Sequence, residues 1–207
     1  RFVQTADHMK RATEVLAKVA INEAKGMIEI SDFGETKIDV YKYSKALKDT
    51  QFRILSGLIS WYSGNFYRPR FSQLDSLQRL VSGNNDITGV SLGGIILKKS
   101  EEVISVNREP SAIKITEGLM SNKILWDNRW SISFSKAFNQ NLKIVPLGSL
   151  NYKKKELFDL ESSSKNTLDT LPAIVNDNKI LFAPFSKMKC DIEIKLLRSD
   201  KYLYKNF

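Results

Sequence analysis

Apolar positions recur at helical spacing in the first part of the chain and at strand spacing beyond it. From Phe2 to about Ala24, Val3, Ala6, Met9, Ala12, Val15, Leu16, Val19 and Ala20 fall at three- and four-residue intervals, which predicts one helix. Gly26 then reads as its C-terminal stop. Residues 27–40 alternate weakly and fit short strands or an extended connector, with a turn at Gly34. Ser44 to Tyr62 is a second long helix with a broad apolar face of Leu47, Phe52, Leu55, Leu58, Ile59 and Tyr62, ended by Ser63-Gly64-Asn65. Pro69 suits the start of a third helix, and Ser72 with Asp75 resembles a capping box. That helix runs to about Val81, turns Leu74, Leu77, Leu80 and Val81 inward, and stops at Gly83.

From Ile87 the period becomes that of strands. Val90, Leu92, Ile95 and Leu97 lead to a turn at Lys98-Lys99-Ser100-Glu101, and Val103, Ile104 and Val106 return, which is a hairpin leaving through Arg108-Glu109-Pro110. Ile113 to Lys123 is a polar link and the best candidate boundary. Ile124 to Phe134 is one strand, or two bent at Asp127-Asn128. Leu142 to Val145 is a short strand ended by Pro146-Leu147-Gly148, Tyr152 to Leu160 fits one helix, and Ser162 to Thr170 reads as a loop. Ala173 to Val175 and Ile180 to Phe182 flank the turn residues Asn176-Asp177-Asn178, and Ile192, Ile194 and Leu196 alternate with charges as in an edge strand. Helices first and strands later predict an α+β protein. Its parts are a helical domain of about three helices over 1–86, a β-hairpin over 87–110 closing it, and a sheet-rich α+β domain over 124–207.

Composition narrows the chemistry. Cys190 is the only cysteine and His8 the only histidine in 207 residues. A disulfide framework within the chain and a multi-ligand His/Cys metal site are therefore excluded, and a reducing cytoplasm is the natural setting. Cys190 reads as a half-buried strand residue and His8 as a helix-surface one. A Ser-His-acid triad would need His8, close to the end of the sequence. No apolar run approaches the ~20 residues of a membrane span, so no membrane partner is expected. The first residues lack both a starting Met and the apolar stretch of a signal peptide, and the chain reads as a piece of a longer protein. Net charge is +9, and the excess is uneven: residues 1–110 carry 16 Lys and Arg against 13 Asp and Glu, residues 111–207 carry 16 against 10. A basic surplus of this kind suits a polyanionic partner.

Three glycines, Gly89, Gly93 and Gly94, precede Lys98 and Lys99. A phosphate-binding loop would pass into a helix, whose first N–H groups face the anion. Here Gly93-Gly94 passes into Ile-Ile-Leu-Lys-Lys, a strand pattern, so the pair reads as a bulge or a close backbone approach in the hairpin.

Four features in order carry a resemblance: the amphipathic opening RFVQTADHMKRATEVLAKVA, the helix RILSGLISWYSGNFYRPRF, the helix SQLDSLQRLVSG, and the hairpin TGVSLGGIILKKSEEVISVNREP. With WDNRW, VPLG and LPAIVNDNKILFAP further on, they resemble the region after the catalytic domain of tRNA(Ile)-lysidine synthetases, especially alphaproteobacterial ones. Enzymes of that family use ATP, with Mg, to adenylate the wobble cytidine of the CAU-anticodon isoleucine tRNA, and lysine then displaces AMP. The family's S-G-G-x-D-S loop has no counterpart here; Ser91-Leu92-Gly93-Gly94 shares only its paired glycines. The resemblance implies the linker and C-terminal part of such a ligase. That part would hold tRNA beside the enzyme's own N-terminal catalytic domain, with no catalytic residue and no cofactor in this chain.

Candidate RNA contacts follow from charge and reach. Arg68 and Arg70 flank Pro69 and offer two guanidinium forks, or form only a surface pair at a helix start. Lys98 and Lys99 are placed at a hairpin tip. Lys153, Lys154 and Lys155 are the densest local run, either a phosphate contact or a solvated helix face. Lys187, Lys189, Lys195, Arg198, Lys201 and Lys205 make the C-terminus basic, with Tyr202 and Tyr204 interleaved for stacking or packing. Trp126 and Trp130 read as core, which points Arg129 between them outward as a further contact. A general nucleic-acid-binding module and a protein-interaction domain without an RNA role fit the same residues; oligomeric state is left open.

Overall fold

The computed structural model describes residues 2–64, 69–117, 121–134, 142–159, 164–177 and 179–197. Its elements are α1 (Phe2–Met27), β1 (Ile28–Ile30), β2 (Thr36–Asp39), α2 (Val40–Lys45), α3 (Lys48–Ser63), α4 (Phe71–Ser82), β3 (Ile87–Leu92), β4 (Ile95–Lys99) and β5 (Val103–Arg108). There follow β6 (Lys123–Trp126), β7 (Trp130–Phe134), β8 (Leu142–Pro146), α5 (Lys154–Leu157), α6 (Lys165–Asp169), β9 (Pro172–Asn176), β10 (Lys179–Phe182) and β11 (Ile192–Leu196). Every strand pairing is antiparallel and the longest helices come first, so the class is α+β.

The first core lies between helices and a five-stranded sheet ordered β1-β2-β5-β4-β3. α3 runs through its middle and is buried on nearly every side, polar Gln51, Ser56 and Ser60 included, the mark of a helix with neighbours all round. Ile54, Leu55 and Leu58 are fully buried, each contributing about 1.5–3 kcal/mol of transfer free energy. The second core is built by two three-stranded sheets, β10-β9-β8 and β11-β7-β6, around Trp126, Trp130, Ile132, Ile144, Leu168 and Ile174. Trp126 and Trp130 pair across β6 and β7 and are both buried, as core residues.

Several boundaries differ from the sequence expectation, each for a local reason. α1 continues through Gly26 to Met27 rather than stopping near Ala24; the Gly26 carbonyl is taken by Lys42 Nζ at 2.7 Å. Its apolar stripe is seated only toward its C-terminal end, at Ala20, Ile21, Ala24 and Met27, while Val3, Met9, Val15 and Leu16 are exposed. The second long helix is divided into α2 and α3, with Leu47 exposed at the break; Asp39 caps α2 by accepting from the Lys42 N–H at 2.9 Å. No capping box forms at α4. Ser72 lies inside the helix, Asp75 pairs with Arg79 and Lys48, and Leu80 is nearly half exposed rather than inward. The 152–160 helix shortens to α5, and the 162–170 loop contains α6, capped by Ser164. Cys190 is exposed and precedes β11, rather than half-buried within a strand. The weak alternation of 27–40 resolves into β1 and β2 around Gly34 (φ +83°).

Tyr62 ties the sheet to α3. Its hydroxyl lies 2.7 Å from both the Gly34 and Val106 carbonyl oxygens and 3.0 Å from Thr36 Oγ1. Burial pushes this phenol up to about 12, although the Arg129 guanidinium favours its phenolate. Tyr43 is pushed up further by burial alone. Below the unfolded value of 10.0 the phenol is neutral in both states and its contribution is complete. Between 10.0 and about 12 the unfolded chain ionises while the folded one does not, so stability falls as pH rises. Urea midpoints measured from pH 9 upward should decline past about 10, the reference phenol value, and Tyr62→Phe should decline less steeply.

Candidate nucleic-acid interface

The predicted RNA contacts separate into an outward group and a group committed to folding. Lys98 and Lys99 end β4 instead of forming a hairpin tip, because Gly93-Gly94 makes the β3–β4 turn and the β4–β5 turn lies at Ser100–Glu102. Successive strand residues face opposite sides, so the two lysines diverge. Lys99 is buried and donates to the Gly83 carbonyl, which takes it out of reach of a ligand. Lys98 faces outward, level with Ser105 of β5 and Lys37 of β2. Two strand spacings set Lys98 and Lys37 about 10 Å apart. Sequence reading passed over Lys37; a lysine between the buried Thr36 and Ile38 was the available signal.

Arg129 corrects the outward assignment. It is only 1% exposed, because it lies in the β6–β7 turn, where strand alternation does not apply. Asp127 and Asn128 have φ of +46° and +56° and reverse the chain there. Arg129 donates to Asp127 Oδ2 from Nε (3.2 Å) and Nη2 (2.7 Å), and its Cζ lies 5.0 Å from the Tyr62 ring centre. Arg108 grips the same carboxylate through Nε and Nη2 at 3.1–3.2 Å and also donates to the Gly94 and Ala112 carbonyls. This buried Arg-Asp-Arg group joins the two cores. Asn128 Nδ2 to Ser63 O, Trp61 Nε1 to Leu197 O and Thr167 Oγ1 to Asn107 Oδ1 extend the seam.

The structure brings Lys153, Lys154, Lys155, Lys187 and Lys189 to one region. The Lys187 N–H donates to Leu157 O at 3.0 Å and its Nζ to Lys155 O at 3.3 Å, which holds 187–189 against α5. Lys153 pairs with Glu156 and Lys187 with Asp159, both exposed, so these charges stay available to a phosphate at small cost. Arg70 is exposed at the start of α4, away from this group in sequence and on the first core. Lys195 is exposed beside Glu193. Arg68, Arg198, Lys201, Lys205, Tyr202 and Tyr204 lie outside the described residues.

The paired glycines do not fit a nucleotide phosphate. Gly93 (φ +60°) and Gly94 (φ +81°) turn β3 into β4; a Cβ on Gly93 would stand 2.5 Å from Ile59 Cγ2, and one on Gly94 2.1 Å from Arg108 Nη1. The space beside them is filled by protein, and no helix begins there. Among the described residues there is also no cluster of three His, Cys, Asp or Glu side chains able to hold a metal, and no helix is long and apolar enough to cross a membrane.

Fold and site together define an α+β protein of two joined cores with lysines displayed on the outer surface of each. No protein-family model matches the chain. Its relatives do: it is 28% identical over 187 residues to the tRNA(Ile)-lysidine synthase of Wolbachia sp. subsp. Brugia malayi, covering 87% of this chain and 42% of that protein. The enzyme of the same name from Wolbachia pipientis wMel is 27% identical over 189 residues (89% and 43%), and that of Rickettsia akari 28% over 175 residues (80% and 39%). The chain is thus a relative of the tRNA(Ile)-lysidine synthases and spans about two fifths of their length.

Proposed function

We propose that this chain is the tRNA-recognition portion of a tRNA(Ile)-lysidine synthetase. The ligase would join lysine to the wobble cytidine of the CAU-anticodon isoleucine tRNA in the bacterial cytoplasm. The observation that carries the reading is the similarity to enzymes of that name along 80–89% of the chain. The outward lysines around α5 and Lys98 on β4 supply the phosphate contacts such a role needs. ATP and Mg belong to a catalytic domain in the rest of the enzyme, and the helical part (1–86), the hairpin (87–110) and the sheet-rich part (124–207) divide the RNA-holding work.

Binding of this chain to the CAU-anticodon isoleucine tRNA, measured across a salt series with methionine tRNA as competitor, tests the reading. Tight binding at low salt, a steep salt slope and preference for the isoleucine tRNA are expected. Replacing Lys153, Lys154, Lys155 and Lys187 by alanine should lower the slope by about 4, near one for each phosphate left without its lysine. Equal binding of both tRNAs would move discrimination to the remainder of the enzyme. No binding at low salt would remove the RNA role and favour a protein partner.

A further inference from the structure

α2 displays an aromatic ring that its own core does not use. Tyr43 is buried, whereas Tyr41, two residues earlier, is 70% exposed. Lys45 holds its ammonium 5.5 Å from the Tyr41 ring centre, and none of the ion pairs among the described residues engages it. Lys42 reaches back to the Gly26 carbonyl at the end of α1 while keeping its side chain 55% exposed. Beside the ring lies a cavity of about 480 Å³ whose walls include Asn22, Glu23 and Met27 of α1 and Tyr41, Lys42 and Lys45 of α2. That volume falls in the range of small-ligand sites. Glu23 lines the cavity, and its carboxylate has one oxygen, Oε2, buried without a hydrogen-bond partner.

We propose that this cavity holds one unpaired nucleotide of the bound RNA. The base stacks on Tyr41, its phosphate meets Lys45 and Lys42, and an amino group on the base edge donates to the Glu23 carboxylate. The inference rests on the tRNA-binding reading and adds a contact to it. The opening on the other side of Tyr41 carries Glu29, Asp39, Glu101 and Glu102 against Lys25, Lys37 and Lys42. That acidic surplus repels a phosphate and directs the strand toward Lys45. Cytosine and adenine fit Glu23 through their exocyclic amino groups. Uracil offers one ring N–H flanked by two carbonyl oxygens, which the carboxylate repels.

The test is tRNA binding by the same chain with Tyr41→Ala, Tyr41→Phe, Lys45→Ala and Glu23→Gln, each across the salt series. Loss of one stacked base predicts that Tyr41→Ala weakens binding about 5- to 150-fold while Tyr41→Phe keeps most of it. Lys45→Ala should lower the salt slope by about 1. Short single-stranded C and A oligonucleotides should compete better than U, and Glu23→Gln should erase that order. The exposed Tyr41 ring predicts unchanged urea midpoints, which separates a contact from a folding defect. Wild-type affinity in Tyr41→Ala, with tRNA still bound steeply, overturns this inference alone. No tRNA binding by the wild-type chain overturns it together with the functional reading.

Discussion

Asp127→Asn is expected to destabilise the protein by about 3–5 kcal/mol, the usual cost of removing one partner from a buried ion pair. Asp127 is 4% exposed at its side chain and sits between Arg108 and Arg129, 6% and 1% exposed, so its single negative charge is shared by two guanidiniums almost closed to water. Asparagine keeps the size of the residue and tolerates the φ of +46°, so the substitution isolates the charge. Urea unfolding should show a lower midpoint at an unchanged slope. Replacing all three residues together by apolar ones of similar volume should recover much of the loss, because the desolvation of the charges disappears with them. A loss below about 1 kcal/mol for Asp127→Asn, the value of a surface pair, would mean that solvent reaches the guanidiniums and that the seam between the cores is not dry.

Gly94→Ala should cost about 3 kcal/mol. The left-handed backbone at φ +81° accounts for about 1–2 kcal/mol of this in an alanine. Its Cβ would also stand 2.1 Å from Arg108 Nη1 and 3.3 Å from Ala112 Cβ, pushing the guanidinium off the Gly94 carbonyl it binds at 2.6 Å. Losing a charge-assisted hydrogen bond adds about 1.5 kcal/mol or more. Gly89→Ala is the internal control: nothing lies within 4 Å of its added Cβ and its φ is not positive, so its midpoint should stay close to wild type. Equal midpoints for the two variants would detach the β3–β4 turn from the Arg108 group.

The elements legible in the sequence were those whose signal is local. Pro69, Gly64 and Gly83 mark helix ends that the structure keeps, and the turn residues Asp127-Asn128 and Asn176-Asp177 mark hairpins. What the sequence hid is set by distant partners. Lys99 looks like a surface charge until Gly83 supplies an acceptor, and Arg129 looks outward until Tyr62, far earlier in the chain, provides a ring beneath it. The stripe on α1 is a true helical signal, yet periodicity reports only that a face is apolar and not what covers it; its first four turns are exposed. Leu47 failed for a related reason, since one apolar residue at a helix break satisfies the same spacing as one within a helix. At the candidate interface, charge runs were visible in sequence, but the meeting of Lys187 with α5 depends on a backbone hydrogen bond between 187 and 157.

Directional bonds cross the seam between the cores beside the apolar packing of Phe33 on the second core: two guanidiniums on one carboxylate, an indole N–H on the Leu197 carbonyl, and a hydroxyl on Asn107. Bonds of this kind weaken steeply with misalignment, so they hold the cores at one relative attitude. On the tRNA-binding reading proposed above, lysines carried by the first core and lysines carried by the second would act like the two jaws of a locked caliper. An RNA touching both would then be gauged by the span between its contact points, and one of the wrong span would forfeit everything a whole jaw could grip even when its nucleotides are right.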